Sequence, residues 1–156
     1  MATTTATITL ASSDIGDNTL SISNTATLYT AGTNTGITET TGLGRKKVAS
    51  GSNIILLDHG LAGGIAQDVT ADKSAKVYIK NMNDRGDGTK FVNILLAAVE
   101  IGRLYGGDWM FIPWDADTVA VGAAGSAIEV EAIVAEAELE YCLFHNGETR
   151  NTSDDS

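Results

Sequence analysis

Cysteine occurs once in the 156 residues, at Cys142, and histidine twice, at His59 and His145. A single thiol excludes an intrachain disulfide and leaves a cysteine-based zinc site without ligands. Lys and Arg total ten against twenty Asp and Glu, a formal net charge of −10. Neutralising phosphates needs clustered basic residues, so this balance argues against nucleic acid as a partner. It argues equally against docking on an anionic membrane. No stretch approaches the ~18 apolar residues of a membrane-crossing helix. The opening MATTTATITL lacks the basic stretch and apolar core of a secretory signal, so synthesis in a cytoplasm is expected. Proline is nearly missing as well: Pro113 stands alone beside 17 glycines, so turns must rely on glycine for positive φ.

What is present suits a globular chain. Hydrophobic residues make up 43% and charged residues 19%, and the length fits one domain with a core of its own. Residues 1–41 contain 14 Thr and no Lys or Arg. Thr is β-branched and favours a pleated surface. Within this stretch Thr7–Leu10 and Leu20–Tyr29 alternate polar with apolar, placing Leu20, Ile22, Asn24, Ala26 and Leu28 on one face. ASSDIGDN between them is turn chemistry, and AGTNTGITETTGLG after them reads as a long flexible connection.

Residues 45–57 open on the basic run Arg45–Lys46–Lys47 and end in the apolar NIILL, a buried strand. A Gly-rich connection leads to Ala75–Met82, where Val77 and Ile79 alternate with Lys76, Tyr78 and Lys80. NDRGDG then turns the chain into Phe91–Val99, and YGGD turns it into WMFIPW. IEVEAIVAEAELEYCLF carries helix formers, but its five glutamates would ring a helix. As strands, Ile128, Val130 and Ala132 oppose Glu129 and Glu131, and Ala137, Leu139, Tyr141 and Leu143 oppose Glu136, Glu138 and Glu140. The parity flips near Ile133–Ala135, which predicts a bulge or a change of sheet. Seven to nine short strands result, with no helix: an all-β, antiparallel β-sandwich, jelly-roll-like, with an extended Thr-rich N-terminal arm. The expected divisions are 1–44 for the arm and first strands, 45–144 for the sandwich core and 145–156 for a polar disordered tail.

No chemistry rises above this pattern. His59 has Asp58 beside it and serines in plenty, but no G-x-S-x-G elbow. GLGRKK lacks the third glycine of a dinucleotide loop and the G-K-[ST] of a P-loop. Asn81, Asn83, Asp84 and Asp87 gather calcium-like oxygens, but Arg85 stands where a ligand should, so a solvated turn is expected. Asp115 and Asp117 read as hairpin residues and Asn151–Thr152–Ser153 as an unused glycosylation acceptor. Arg85–Gly86–Asp87 spells an integrin-recognition tripeptide that is also ordinary turn chemistry. Trp109, Phe111 and Trp114 could form a sugar platform, though Trp109 and Phe111 on one strand face read more simply as core. The expectation is therefore no catalytic, cofactor-binding or metal-binding residue, and no cofactor. From Leu104 to Thr149 there are nine acidic residues and no Lys or Arg, so the run 45–47 is the natural counter-charge, in this chain or in a neighbour.

Lys80–Asn81 closing one strand, Gly102 to Asp108 as G-x-L-x-x-G-[ED], Pro113–Trp114–Asp115, and Leu139 to Phe144 as L-E-Y-x-[IL]-F form a set. Together with SSDIGDNTLSIS and TTGLGRKK, this set resembles small structural proteins of tailed-bacteriophage virions, marine and cyanobacterial phages among them. The resemblance implies a β-sandwich, often trimeric, placed on a capsid or tail, with no catalytic residues. The expectation is a capsid decoration (cement) protein on the outer virion surface, its partners other copies of itself, as a trimer, and the major capsid protein. The alternatives are a tail or baseplate component, and a carbohydrate-binding module using Trp109 and Trp114.

Overall fold

The structure, a computed structural model, describes residues 4–13, 19–29, 34–37, 39–57, 75–114 and 127–145. Among these the chain is all β, with eleven strands and no helix. They are β1 (Thr5–Ser12), β2 (Leu20–Thr27), β3 (Glu39–Thr40), β4 (Gly44–Val48), β5 (Ser52–Leu57), β6 (Ala75–Asn81), β7 (Val92–Leu96), β8 (Val99–Leu104), β9 (Trp109–Trp114), β10 (Ile128–Ala132) and β11 (Ala137–His145). Every pairing is antiparallel. One sheet runs β5-β10-β7-β8, and the other runs β11-β6-β9 with β4 and β3 along the far edge of β11.

The two sheets pack face to face because their alternating apolar residues have nowhere else to go. Leu56, Val92, Ile94, Ile128 and Val130 from one meet Val77, Ile79, Leu139, Leu143 and Trp114 from the other, all buried. Burying each such side chain is worth about 1.5–3 kcal/mol, far more than the propensity of Ala and Glu for helix, which spans only a few tenths of a kcal/mol per residue. That is why IEVEAIVAEAELEYCLF forms strands.

The parity flip is a change of sheet. β10 lies in one layer and β11 in the other, and 133–136 crosses between them. β4 and β5 make the same crossing at 49–51. The two corners lie side by side: Gly51, in the left-handed region at φ 71°, donates its N–H to the carbonyl of Ala132, and the Ser50 hydroxyl donates to that of Val134 at 3.0 Å. In β5 the pairing with β10 skips Leu56, and this bulge lets both Leu56 and Leu57 face inward.

Four expectations change. Phe91–Val99 is not one strand, because Ala97 and Ala98, at φ 50° and 62°, fold it into a two-residue hairpin between β7 and β8. The connection after Tyr29 carries β structure where described: Tyr29 bridges Gly36, Leu28 and Ile37 are buried, and β3 follows. Gly44, placed at the end of the arm, opens β4. His145, placed at the start of the tail, is the last residue of β11 and is buried. The Thr-rich arm itself forms the hairpin β1–β2 outside the two packed sheets.

Candidate functional site

Asn81 ends β6 at the rim of the sandwich, where the chain crosses from β6 to β7 and from β8 to β9. It is wholly buried. Its side-chain amide donates to the carbonyls of Lys90 (2.9 Å) and Leu104 (3.0 Å). Its side-chain oxygen accepts from the backbone N–H of Asn83 (3.0 Å) and from that residue's side-chain amide (2.7 Å). Its backbone N–H donates to Asp108 and its carbonyl accepts from Gly107. Every hydrogen-bonding group of the residue is engaged within the protein, so it ties two crossovers together, and its side-chain oxygen, already accepting twice, has no lone pair to spare for a cation. Gly106 lies so close to the backbone of Asn83 and Asp84 that a Cβ there would collide with it.

The rest of NMNDRGDG follows suit. Asp84 accepts the N–H of Gly86, and Asp87 accepts the N–H and hydroxyl of Thr89. The Thr89 hydrogen bonds, with the ammonium of Lys90 3.6 Å away, hold the Asp87 carboxyl below its usual range. Arg85 pairs with Asp108 at 2.8 Å, and Asp108 also accepts the N–H of Tyr105. Of the four residues expected in a solvated turn, Asn81 is buried, while Asp84 and Asp87 accept hydrogen bonds from the turn itself. Among the described residues, no three His, Cys, Asp or Glu come together as metal ligands. Both charged members of Arg85–Gly86–Asp87 are engaged in the turn's own bonds.

The aromatic residues divide between the two sides of β9. Trp114 faces the core and is 3% exposed, whereas Trp109 faces out and is 51% exposed. Residues an odd number apart on a strand point to opposite faces, so Trp109 and Trp114 cannot share a platform. The core assignment of Trp109 and Phe111 is also overturned. Register places Trp109 beside Lys80 and Phe111 beside Tyr78 on the outer face, where Phe111 meets Phe144 edge-on with ring centroids 6.3 Å apart. Burial, with the Glu140 carboxylate nearby, raises the Tyr78 hydroxyl above its ordinary value.

The basic run finds its acidic partners within the chain. Because β4 pairs with β11, Arg45 reaches Glu138 (3.8 Å) and Glu140 (3.5 Å), and Lys47 reaches Glu136 (3.5 Å). These contacts are exposed and worth about 0–1 kcal/mol each. They offset like charges along β11.

The hairpin β1–β2 has one mostly apolar face and one face of hydroxyls with Ala11. Its register pairs Ala6 with Ala26, Ile8 with Asn24, Leu10 with Ile22, and Ser12 with Leu20. Directly opposed residues point the same way, so these eight form one face. The other face is Thr5, Thr7, Thr9, Ala11, Ser21, Ser23, Thr25 and Thr27, with hydroxyls of Thr7 and Thr25 2.9 Å apart. On the apolar face Ile8 is 38%, Leu10 52%, Leu20 42% and Ile22 48% exposed. Among the described residues, β1 and β2 pack extensively only with each other.

His59, Asp58, Asp115, Asp117 and the 151–153 tripeptide lie outside the described residues. No helix in the described residues is long and apolar enough to cross a membrane. What the fold defines is a class: an all-β antiparallel sandwich bearing a separate amphipathic hairpin. No family model, no curated protein and no solved structure matches the chain.

Proposed function

We propose that the chain is a virion structural protein of a tailed phage, a capsid decoration protein that binds the major capsid shell as a symmetric oligomer. The observation that carries this reading is the meeting of the resembling segments at one place. Lys80–Asn81, Gly102 to Asp108 and Leu139 converge on Asn81, through its bonds to Leu104, Gly107 and Asp108 and its register partner Leu139. Trp114, from Pro113–Trp114–Asp115, is buried in the same core at the other end of β9, where it pairs with Ala75. The residues that carry the likeness hold the sandwich together, as expected where the family trait is a scaffold.

Strand order supports the same reading. β4-β11-β6-β9 facing β5-β10-β7-β8 is compatible with a jelly roll, an architecture used for capsid and lectin domains. The net charge of −10 suits an outer surface, since an inner one would face packaged DNA phosphates. Binding would follow ordinary association energetics, with apolar burial offsetting ordering costs, multiplied over many equivalent sites.

The test is co-sedimentation of the purified protein with expanded and unexpanded capsids from which it has been omitted, followed by imaging of the particle. Saturable binding to expanded shells, with density at threefold positions, is expected. Density confined to the tail or baseplate would replace the decoration role. Absence from the particle, with glycan binding lost on Trp109→Ala, would replace the structural reading by the carbohydrate-binding one.

A further inference from the structure

A two-stranded hairpin alone is marginal in water and persists when a third strand or another layer covers its apolar side. β1–β2 has that apolar side, and the sandwich of its own chain does not cover it. Its outer edges carry no Lys, Pro or bulge, the features that normally protect an open edge from pairing with another chain. A face and edges built this way suit occupation by another surface.

The charge distribution selects the occupant. Two copies each carrying −10 repel over most of their surfaces. Residues 4–13 and 19–29 contain no charged side chain, so the hairpin strands are where two copies can meet without bringing like charges together. We infer that the apolar face around Leu10 and Ile22 is the contact through which copies of this chain associate, each hairpin covering that of another.

This inference rests on the symmetric-oligomer part of the proposed function and supplies its contact. Its size sets the kind of assembly. Eight residues at ~3.3 Å each give a face about 26 Å long and about 10 Å wide. Two such faces bury on the order of 500 Å², below the ~1,200 Å² of a stable interface. A closed ring of three or more copies, in which each hairpin uses its face and edges against two neighbours, reaches further than a single pair. Asn24, opposite Ile8, and Ser12, opposite Leu20, are the polar positions of this face, and a polar residue in an apolar seam is a known means of fixing register.

Sedimentation velocity of the full chain over a hundredfold concentration range tests this. The wild type should associate, and added salt should strengthen association by screening the net charge, including Asp14 and Asp17 between the two strands. Leu10→Asn with Ile22→Asn should shift the association midpoint at least ~tenfold. The matched control Thr7→Asn with Thr25→Asn, on the hydroxyl face, should leave the midpoint in place. Thermal unfolding of the sandwich should be the same in all three proteins, because the hairpin packs mainly on itself.

A wild type that stays monomeric throughout overturns the inference. So does association indifferent to Leu10 and Ile22, or association weakened by salt. Presence on the virion is a separate measurement: a hairpin-driven oligomer absent from the particle sinks the proposed function alone, and a monomer found on the particle sinks this inference alone.

Discussion

The side-chain amide of Asn81, at the end of β6, donates to the carbonyl of Leu104, at the end of β8, across 3.0 Å in a place closed to solvent. Replacing Asn81 with Ala removes four side-chain hydrogen bonds and strands the carbonyls of Lys90 and Leu104. Each buried polar group left without a partner costs about 1–3 kcal/mol. Asn81→Ala should therefore lose about 2–5 kcal/mol in urea denaturation. Asn83→Ala, which leaves the Asn81 amide and both carbonyls bonded, should lose about 1 kcal/mol.

The turn between β7 and β8 is built from residues that dislike it. Ala97 and Ala98 both sit at positive φ, where an L side chain costs about 1–2 kcal/mol. Two-residue hairpin turns of this kind favour Asn-Gly. Ala97→Asn with Ala98→Gly should raise stability by about 1–2 kcal/mol, read as a higher urea midpoint with an unchanged slope. No change would mean that the bonds already made by these N–H groups, to Ala127 at 3.0 Å and to the Glu129 carboxylate at 3.2 Å, hold the turn without strain.

Alkaline pH should loosen the sandwich. Burial raises the hydroxyl pKa of Tyr141 above 10.0, and Tyr78 shifts the same way. A group that holds its proton more tightly when folded contributes stability that is intact below its unfolded pKa. That stability falls as pH rises from there through the folded value. Burial lowers the Lys76 ammonium, which acts in the opposite sense just below 10.5 and offsets part of the loss. Tyr141→Phe should flatten the decline in denaturation midpoint that sets in as pH rises from about 10. A variant that declines as steeply as the wild type would assign the alkaline limb to other groups.

How much of this was legible in the chain depends on whether the deciding force was local. Alternation in Val77, Ile79, Val130 and Leu139 announced strands because the pleat puts every second residue in the core, and the flip near Ile133–Ala135 marked the change of sheet for the same reason. The β7–β8 turn was hidden, because two alanines at positive φ leave no Gly, Asn or Asp to signal it. Asn81 stood among oxygen-rich neighbours and resembled a ligand, since its true partners, Lys90 and Leu104, come from crossovers that only the tertiary structure brings together. Trp109 and Phe111 were misassigned because strand parity shows which residues share a face but not which face is dry. The division of β1–β2 into hydroxyl and apolar sides was written in its alternation, and the absence of cover from the sandwich was not.

The paired corners at Ser50–Gly51 and Ile133–Val134 have a mechanical corollary. β4–β5 and β10–β11 run as two backbone ribbons, each stitched into both layers and laced to the other at the bend. Peeling one layer away from the other tears the same ribbons that hold both, so load applied at either surface spreads through the whole body.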